Sequence, residues 1–249
     1  MRALKSILLI CIVTGVSAMQ SPEPPLSETR LTVHTLVRED VFAGFIADDM
    51  ARFARGERSI ETLLKDRPSD KANLLAWQAA THLYRAVLGH EASKPEEFER
   101  HFAAARDGFA EAAKLASAND GGVTAITAGT FVTLADRLPK ANRPWAWAQA
   151  YAAYSALWQQ QGPGIDQFPP HFSGEVLSGM AMSAQRTGRT EEAAQFVDRI
   201  NTMLPDTAYQ AAARQWESNP NGTVLTCKSC HAPGRLAAQL EALKKTPKG

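Results

Sequence analysis

Two thiols and an imidazole lie within five residues of one another late in this 249-residue chain, at Cys227, Cys230 and His231. Cysteines separated by two residues lie about one helical turn apart. This distance is within reach of the two vinyl groups on one edge of a porphyrin, and the adjacent imidazole can fold under the ring to bind the iron. The spacing therefore predicts one covalently attached haem c, with His231 as the proximal iron ligand.

Three other chemistries use the same residue types and stay open at this point. A disulfide between Cys227 and Cys230 would leave His231 without a role. A zinc site would need a fourth protein ligand, and none is obvious near the two thiolates and the imidazole. A thioredoxin-like redox pair belongs to a βαβ context, of which the sequence gives no sign.

The first 18 residues predict a secretory signal peptide. A short basic head is followed by an apolar run from Ile7 to Val13 and by a small-residue cleavage site that ends at Ala18. The run is short for a membrane-spanning helix, so an uncleaved anchor is the weaker alternative. Cleavage would remove Cys11 and leave the two late cysteines. We therefore expect an exported protein of the bacterial periplasm, with no transmembrane segment in the mature chain.

Composition and charge narrow the classes of function. Apolar residues make up 45% of the chain and charged residues 21%, which is typical of a globular protein. With 27 basic and 26 acidic residues, the chain gives no reason to expect nucleic acid as a partner.

Residues 19–37 are rich in proline and predict an extended leader. No distal acid–base pair supports a peroxidase, so we expect an electron carrier or a scaffold rather than an enzyme.

Helical periodicity runs over residues 38–217. Apolar residues recur there at steps of three and four, without the sustained alternation typical of strands. In the clearest unit, the small residues Ala181 and Ala193 would let two helices approach closely. Gly188 would turn the chain between these helices, and Pro205 would end the second one. The pattern predicts an all-α protein, built as a stack of antiparallel helical hairpins.

The spacing within this unit resembles that of the tetratricopeptide repeat, at Leu177, Met180, Ala181, Ala184, Gly188, Ala193, Val197, Ile200 and Pro205. Two earlier units resemble stretched versions of the repeat. One combines residues 77–84 with residues 105–112 across a long insertion, and the other combines residues 125–132 with residues 150–157. Tetratricopeptide arrays commonly hold a peptide or protein on their concave face, so the resemblance implies a protein partner bound through the repeat face.

The string from Cys227 to His231 resembles the haem-binding motif of cytochromes c. The resemblance implies that Cys227 and Cys230 are thioether anchors and that His231 is the proximal ligand. Small cytochromes c take their sixth ligand from a downstream methionine, but neither Met nor His follows His231. Either the iron is five-coordinate, or its sixth ligand comes from the helical stack, where Met203 is the nearest upstream candidate. Further candidates are His171, Met180 and Met182.

Residues 218–249 form the predicted haem-binding tail. Leu236, Leu240 and Leu243 predict a last short amphipathic helix. The lysines of the tail favour a solvated terminal face, and the alternative is that lysines near the haem edge steer an acidic redox partner. The resulting hypothesis is an exported mono-haem c-type protein that transfers electrons or senses redox state on a helical-repeat scaffold. The alternative is a haem-free protein-binding scaffold with a structural Cys227–Cys230 disulfide.

Overall fold

A computed structural model describes residues 22–117, 121–222, 224–225 and 234–245. The described residues form helices and contain no strand, so the all-α prediction is confirmed. The predicted signal peptide, residues 1–18, and the string from Cys227 to His231 lie outside the described residues. Within the described part, no helix is both long enough and apolar enough to cross a membrane.

Ten α-helices follow one another along the described residues. They are α1 (Val33–Ala47), α2 (Met50–Asp66), α3 (Lys71–Glu91), α4 (Pro95–Leu115), α5 (Gly121–Leu134), α6 (Arg143–Gln161), α7 (Pro170–Arg186), α8 (Thr190–Met203), α9 (Ala208–Ser218) and α10 (Arg235–Lys244). Short 3-10 helices lie at Pro68–Asp70, Ala135–Arg137 and Gly162–Gln167.

Consecutive helices pack in pairs: α1 with α2, α3 with α4, α5 with α6 and α7 with α8. Two close contacts between α1 and α2 show how the two helices run relative to each other. A Cβ atom added at Gly44 would meet the side chain of Phe53 at 2.6 Å, and one added at Gly56 would meet Val41 at 3.1 Å. Because residue numbers rise on one helix as they fall on the other, α1 and α2 are antiparallel. Helix α9 packs against α8, and α10 packs against α1.

The pair α3/α4 contains the longest helices, with 21 residues each. Only residues 92–94 connect them, so the long insertion that the sequence suggested is helix instead. Pro95 occupies the first turn of α4, where its missing N–H has no helical partner to lose and where its fixed φ suits the helix. The proline therefore starts a helix here and does not interrupt one.

The clearest sequence unit coincides with α7 and α8. Gly188 lies in the turn between them at φ +81°, a left-handed conformation that favours glycine. The apolar positions of the unit are buried as the spacing predicts, namely Leu177, Met180, Ala181, Ala184, Ala193, Val197 and Ile200. A helical hairpin therefore lies where the repeat pattern places one.

In the described part of the leader ahead of α1, turns lie at residues 26–27 and 29–30. The guanidinium of Arg67, at the end of α2, donates to the carbonyl oxygens of Leu26, Glu28 and Leu31 at 2.7–2.8 Å. One arginine thus satisfies three carbonyl groups and holds this segment against the helices. Helix α1 begins inside the predicted leader.

The core lies between the helical pairs, and aromatic side chains fill much of it. Trp77, Tyr84, Phe53 and Phe131 are among its largest fully buried side chains. The hydroxyl of Tyr84 donates to the carbonyl of Gly44 at 2.6 Å, so this polar group is satisfied despite its position. Burial raises the pKa of Tyr84 to about 12. The helical body is therefore a packed platform for the tail.

Candidate functional site

The predicted attachment residues lie outside the described residues, but the chain is described on both sides of them. Leu225 precedes Cys227 by two residues, and Gly234 follows His231 by three. We call these two places the upstream flank (Val224–Leu225) and the downstream flank (Gly234–Leu236). Both flanks contact the helical body, on different helices.

The upstream flank contacts α7 through a sulfur atom. Leu225 is 2% exposed, and its backbone N–H points at the Sδ atom of Met182 at 3.3 Å. Met182 is itself buried. A thioether is a weak hydrogen-bond acceptor, so the contact is mainly one of packing. It places a soft sulfur atom beside the chain two residues before Cys227.

A buried carboxylate holds the downstream flank. Glu39 of α1 is 5% exposed, and its two oxygens accept the backbone N–H groups of Gly234 and Leu236, each at 3.0 Å. The amides at a helix N-terminus lack a partner within their own helix, so Glu39 caps α10 from another helix. Arg52 of α2 donates to Oε1 of Glu39 at 3.1 Å. We call these four residues the Glu39 clamp.

The contacts in the clamp keep Glu39 ionised. Burial raises the pKa of Glu39 and is the largest single effect, but the other effects together outweigh it. The amides of Leu236 and Gly234, together with the positive charge of Arg52, lower the pKa below its ordinary value. The positive end of the helix dipole also favours an anion at this place. At neutral pH a buried negative charge therefore joins α1, α2 and the tail.

The far end of α10 meets the leader. The Nη1 group of Arg30 donates to the carbonyl of Leu243 at 3.4 Å, while Glu28 holds the same guanidinium at 2.7 Å. An open cleft of about 750 Å³ separates the leader from α10 along this edge. Leu236, at the near end of α10, is buried in the core. Helix α10 is thus held at both ends.

His34 of α1 is a second potential ligand beside the downstream flank. Its ring lies 5.3 Å from that of Trp77, and its Nε2 atom is 3.3 Å from Nη1 of Arg38. Burial lowers the pKa of His34 to about 3, and the charges of Arg38 and Arg235 act in the same direction. His34 is therefore neutral at physiological pH, the form in which imidazole binds metals. Sequence reasoning missed it because 201 residues separate it from Arg235 and no spacing rule joins them.

The structure separates the predicted candidates for the sixth ligand. Met203 is the last residue of α8 and lies half-buried against the core. Met180 is fully inside the core, and His171 is exposed in the first turn of α7. Met182 is the candidate whose sulfur atom contacts a flank of the predicted attachment segment within the described residues.

No group of three or more His, Cys, Asp or Glu side chains in the described residues has the arrangement of a metal site. A covalent haem needs fewer ligands from the helical body, because Cys227, Cys230 and His231 would supply the tether and the proximal ligand. What the body must add is one soft or neutral donor and apolar cover. Met182 and His34 are donors of this kind at the two flanks, so the donor chemistry fits a haem c.

Comparison with known proteins gives no relative: no family model matches this chain, and no curated protein or solved structure does either. The residues and contacts described above are therefore the grounds for a functional proposal.

Proposed function

We propose that the mature chain is an exported mono-haem c-type protein. The haem is tethered through Cys227 and Cys230, with His231 as proximal ligand. The observation that carries the proposal is the string itself, since it uses both cysteines of the mature chain and gives the adjacent histidine a role. A disulfide, a zinc site and a thioredoxin-like pair each leave part of the string unexplained.

The anchoring of both flanks supports this proposal. The segment of residues 226–233 starts beside Met182 on α7 and ends at the Glu39 clamp on α1. Eight residues between two fixed points can travel only a limited distance from the body, since an extended chain advances about 3.3–3.6 Å per residue. A cofactor on this segment would therefore be tethered within reach of the helical body.

The protein's own residues set the properties of the site. When bound, a haem supplies one-electron redox chemistry. Cys227 and Cys230 hold its edge, and His231 donates from one side. Met182 is our first candidate for the sixth ligand, with His34 and Met203 as alternatives. The choice between a thioether and an imidazole would tune the redox potential.

The helical body serves as a tetratricopeptide-like scaffold in this proposal. Its support is the α7/α8 hairpin, where the small residues Ala181 and Ala193 are fully buried between the helices. A protein partner would bind the repeat face, and a redox partner would approach the tail. The role is electron transfer or redox sensing in the periplasm.

The test is to express the chain with its leader in a bacterial host that attaches haem c in the periplasm. We expect a Soret band and a mass increase of one haem that survives denaturation. Replacing both cysteines, Cys227→Ser with Cys230→Ser, should abolish both signals. A colourless wild-type protein with one disulfide would overturn the proposal and favour the haem-free binding scaffold.

The sixth ligand can be tested in the coloured protein. Met182→Ala should alter the visible spectrum and open the reduced iron to carbon monoxide, whereas Met203→Ala should leave the spectrum unchanged. His34→Gln distinguishes the imidazole alternative. If all three variants keep the wild-type spectrum and the wild-type protein already binds carbon monoxide, the iron is five-coordinate.

A further inference from the structure

We propose that His82 and His101 form a two-histidine site for a divalent cation of the copper or zinc class, separate from the haem site. His82 lies on α3 and His101 on α4. Their Nδ1 atoms are 3.1 Å apart, and their ring centroids are 5.3 Å apart. The same atom of each ring thus meets its counterpart within hydrogen-bond distance between the two helices.

The separation of the two nitrogen atoms suits one metal ion. A histidine nitrogen lies about 2.0–2.1 Å from Zn²⁺. Two such nitrogens at angles of about 90–109° around the ion are about 2.8–3.4 Å apart. The observed 3.1 Å lies within this range. A small adjustment of the two rings would make room for the ion between them.

Close helix packing on both sides holds the two rings in register. On one side, a Cβ atom added at Gly108 would lie 2.9 Å from the Cβ atom of Ala79. On the other side, a Cβ atom added at Gly89 would lie 2.8 Å from the backbone nitrogen of Phe98. The histidine pair lies between these contacts, so the antiparallel backbones cannot slide or separate easily. Such preorganisation favours binding because little side-chain and backbone freedom is lost.

Both imidazoles are available as neutral ligands. Burial is the largest effect on the pKa of His82 and lowers it. The charge of Glu57 raises this pKa, whereas the charge of Arg85 lowers it further. Burial also lowers the pKa of His101, and His82, Arg100 and Arg85 act in the same direction, while Glu57 opposes them. Because a metal ion binds the deprotonated nitrogen, such a site needs no proton to be removed at neutral pH.

The ring proton of His101 can move from Nδ1 to Nε2 when an ion binds. Nη2 of Arg100 lies 3.3 Å from Nε2 of His101, and a guanidinium can only donate, so Nε2 accepts and the ring proton is on Nδ1. When an ion takes both Nδ1 lone pairs, this proton moves to Nε2 and no proton is released. The side chain of Arg100 is exposed, so it can turn into solvent.

A cavity and a carboxylate lie beside the histidine pair. A cavity of about 260 Å³ adjoins His82, and Glu57 and Glu61 are among its lining residues. The carboxylate of Glu57 is held by Arg85 at 2.5 and 3.0 Å, so it contributes negative charge nearby and not a ready third ligand. Two imidazoles with water ligands favour Cu²⁺ over the other first-row divalent ions.

The experiment titrates the full mature chain with Cu²⁺. Electron paramagnetic resonance should show one bound ion with coupling to two histidine nitrogens. His82→Gln and His101→Gln should each weaken Cu²⁺ binding at least tenfold. His90→Gln is the matched control, since His90 is an exposed histidine on the same helix, and it should bind like the wild type.

Two outcomes would overturn the proposal. One is equal Cu²⁺ affinity in all four proteins. The other is a sulfur-to-copper absorption band without nitrogen coupling, which would place the ion on the cysteines. Circular dichroism checks that each variant folds. If a variant is unfolded, the nitrogen coupling in the wild-type spectrum decides, because it needs no substitution.

Discussion

The α3/α4 hairpin and the tail helix α10 are attached to the molecule by different physical means. The hairpin is held by buried side chains and by backbones that approach closely at Gly89 and Gly108. Helix α10 buries only Leu236 fully, while Leu240 and Leu243 pack partly buried against the core. Polar contacts supply the rest of its attachment, namely the Glu39 clamp and the contact of Arg30 with Leu243. Segments with few buried contacts open locally at a lower free energy than the core. We therefore expect the hairpin to unfold with the whole body and α10 to detach alone.

Trp77→Ala should have the largest effect. Trp77 of α3 is fully buried, and removing a buried aromatic side chain costs about 3–5 kcal/mol of the free energy of unfolding. Urea denaturation followed by far-UV circular dichroism measures this loss. Leu115→Ala is the control, because Leu115 is 45% exposed at the end of α4 and should change stability by about 0.5 kcal/mol or less. Similar losses in the two variants would contradict the view that the hairpin is part of the global core.

Glu39→Gln should detach the tail without unfolding the body. Glutamine has one acceptor oxygen in place of two, and its amide group would face an N–H donor. Hydrogen bonds to a charged group contribute about 1.5–3 kcal/mol. Hydrogen exchange should show faster exchange of the amides of α10, with the protection of α3 and α4 unchanged.

The matched control for this variant is Glu241→Gln. Glu241 is also a carboxylate of an ion pair, but it lies exposed on α10 and bonds to Lys244 of the same helix. Surface pairs of this kind contribute little, so its exchange should match that of the wild type. If Glu39→Gln leaves the exchange rates of the α10 amides unchanged, packing alone holds the tail.

Periodicity predicted the helices of the body because their apolar residues repeat locally. Trp77 and Tyr84 on α3, and Ala105 and Ala112 on α4, are buried as the pattern predicts. The connection between these helices was predicted too long, since Pro95 has the same sequence signature whether it ends one helix or starts the next. Local sequence signals thus predict which helices form better than they predict where each helix begins and ends.

The anchors of the candidate site could not be predicted in this way. Glu39 accepts the N–H of Gly234 from 195 residues away along the chain, and Met182 contacts Leu225 across 43 residues. His82 and His101 are 19 residues apart, a separation that matches no local ligand spacing, so their pairing could not be predicted. Only helix packing brings these groups together. A haem attachment at Cys227, Cys230 and His231, by contrast, can be predicted from local spacing because these residues lie within five positions of one another, and it stays a prediction.

As pH falls, the α3/α4 hairpin should lose protection from hydrogen exchange before the tail helix α10 does. The pKa values of His82 and His101 are lowered in the folded protein, so the stability linked to them is present above the ordinary histidine pKa of about 6.5 and is lost as pH falls below it. The pKa of Glu39 is also lowered, and its contribution is complete above about 4.3 and is lost below it. Protection of α3 and α4 should therefore fall first.

Hydrogen exchange at a series of pH values measures this order, with the intrinsic pH dependence of exchange subtracted. The variant His82→Gln removes one titrating ring and should flatten the change between about pH 6.5 and 5 in the helical body, the hairpin included, and leave α10 unchanged. Loss of α10 protection in that interval would mean that the tail depends on a histidine and not on Glu39, and His34, whose pKa the charge of Arg235 helps to lower, is the histidine that would be responsible.

The smallest effects come from two glycines, both at positive φ, that lie in different parts of the molecule. Gly188 joins α7 to α8 at φ +81°, and Gly234 precedes α10 at φ +108°; a Cβ atom at either would meet nothing within 4 Å. Alanine at each position therefore adds a conformational cost, about 1–2 kcal/mol in the left-handed region, without a clash. Gly188→Ala should lower the free energy of unfolding of the whole body by about this amount. Gly234→Ala should leave that free energy unchanged and speed only the exchange of α10, because the same cost falls on a helix that opens by itself.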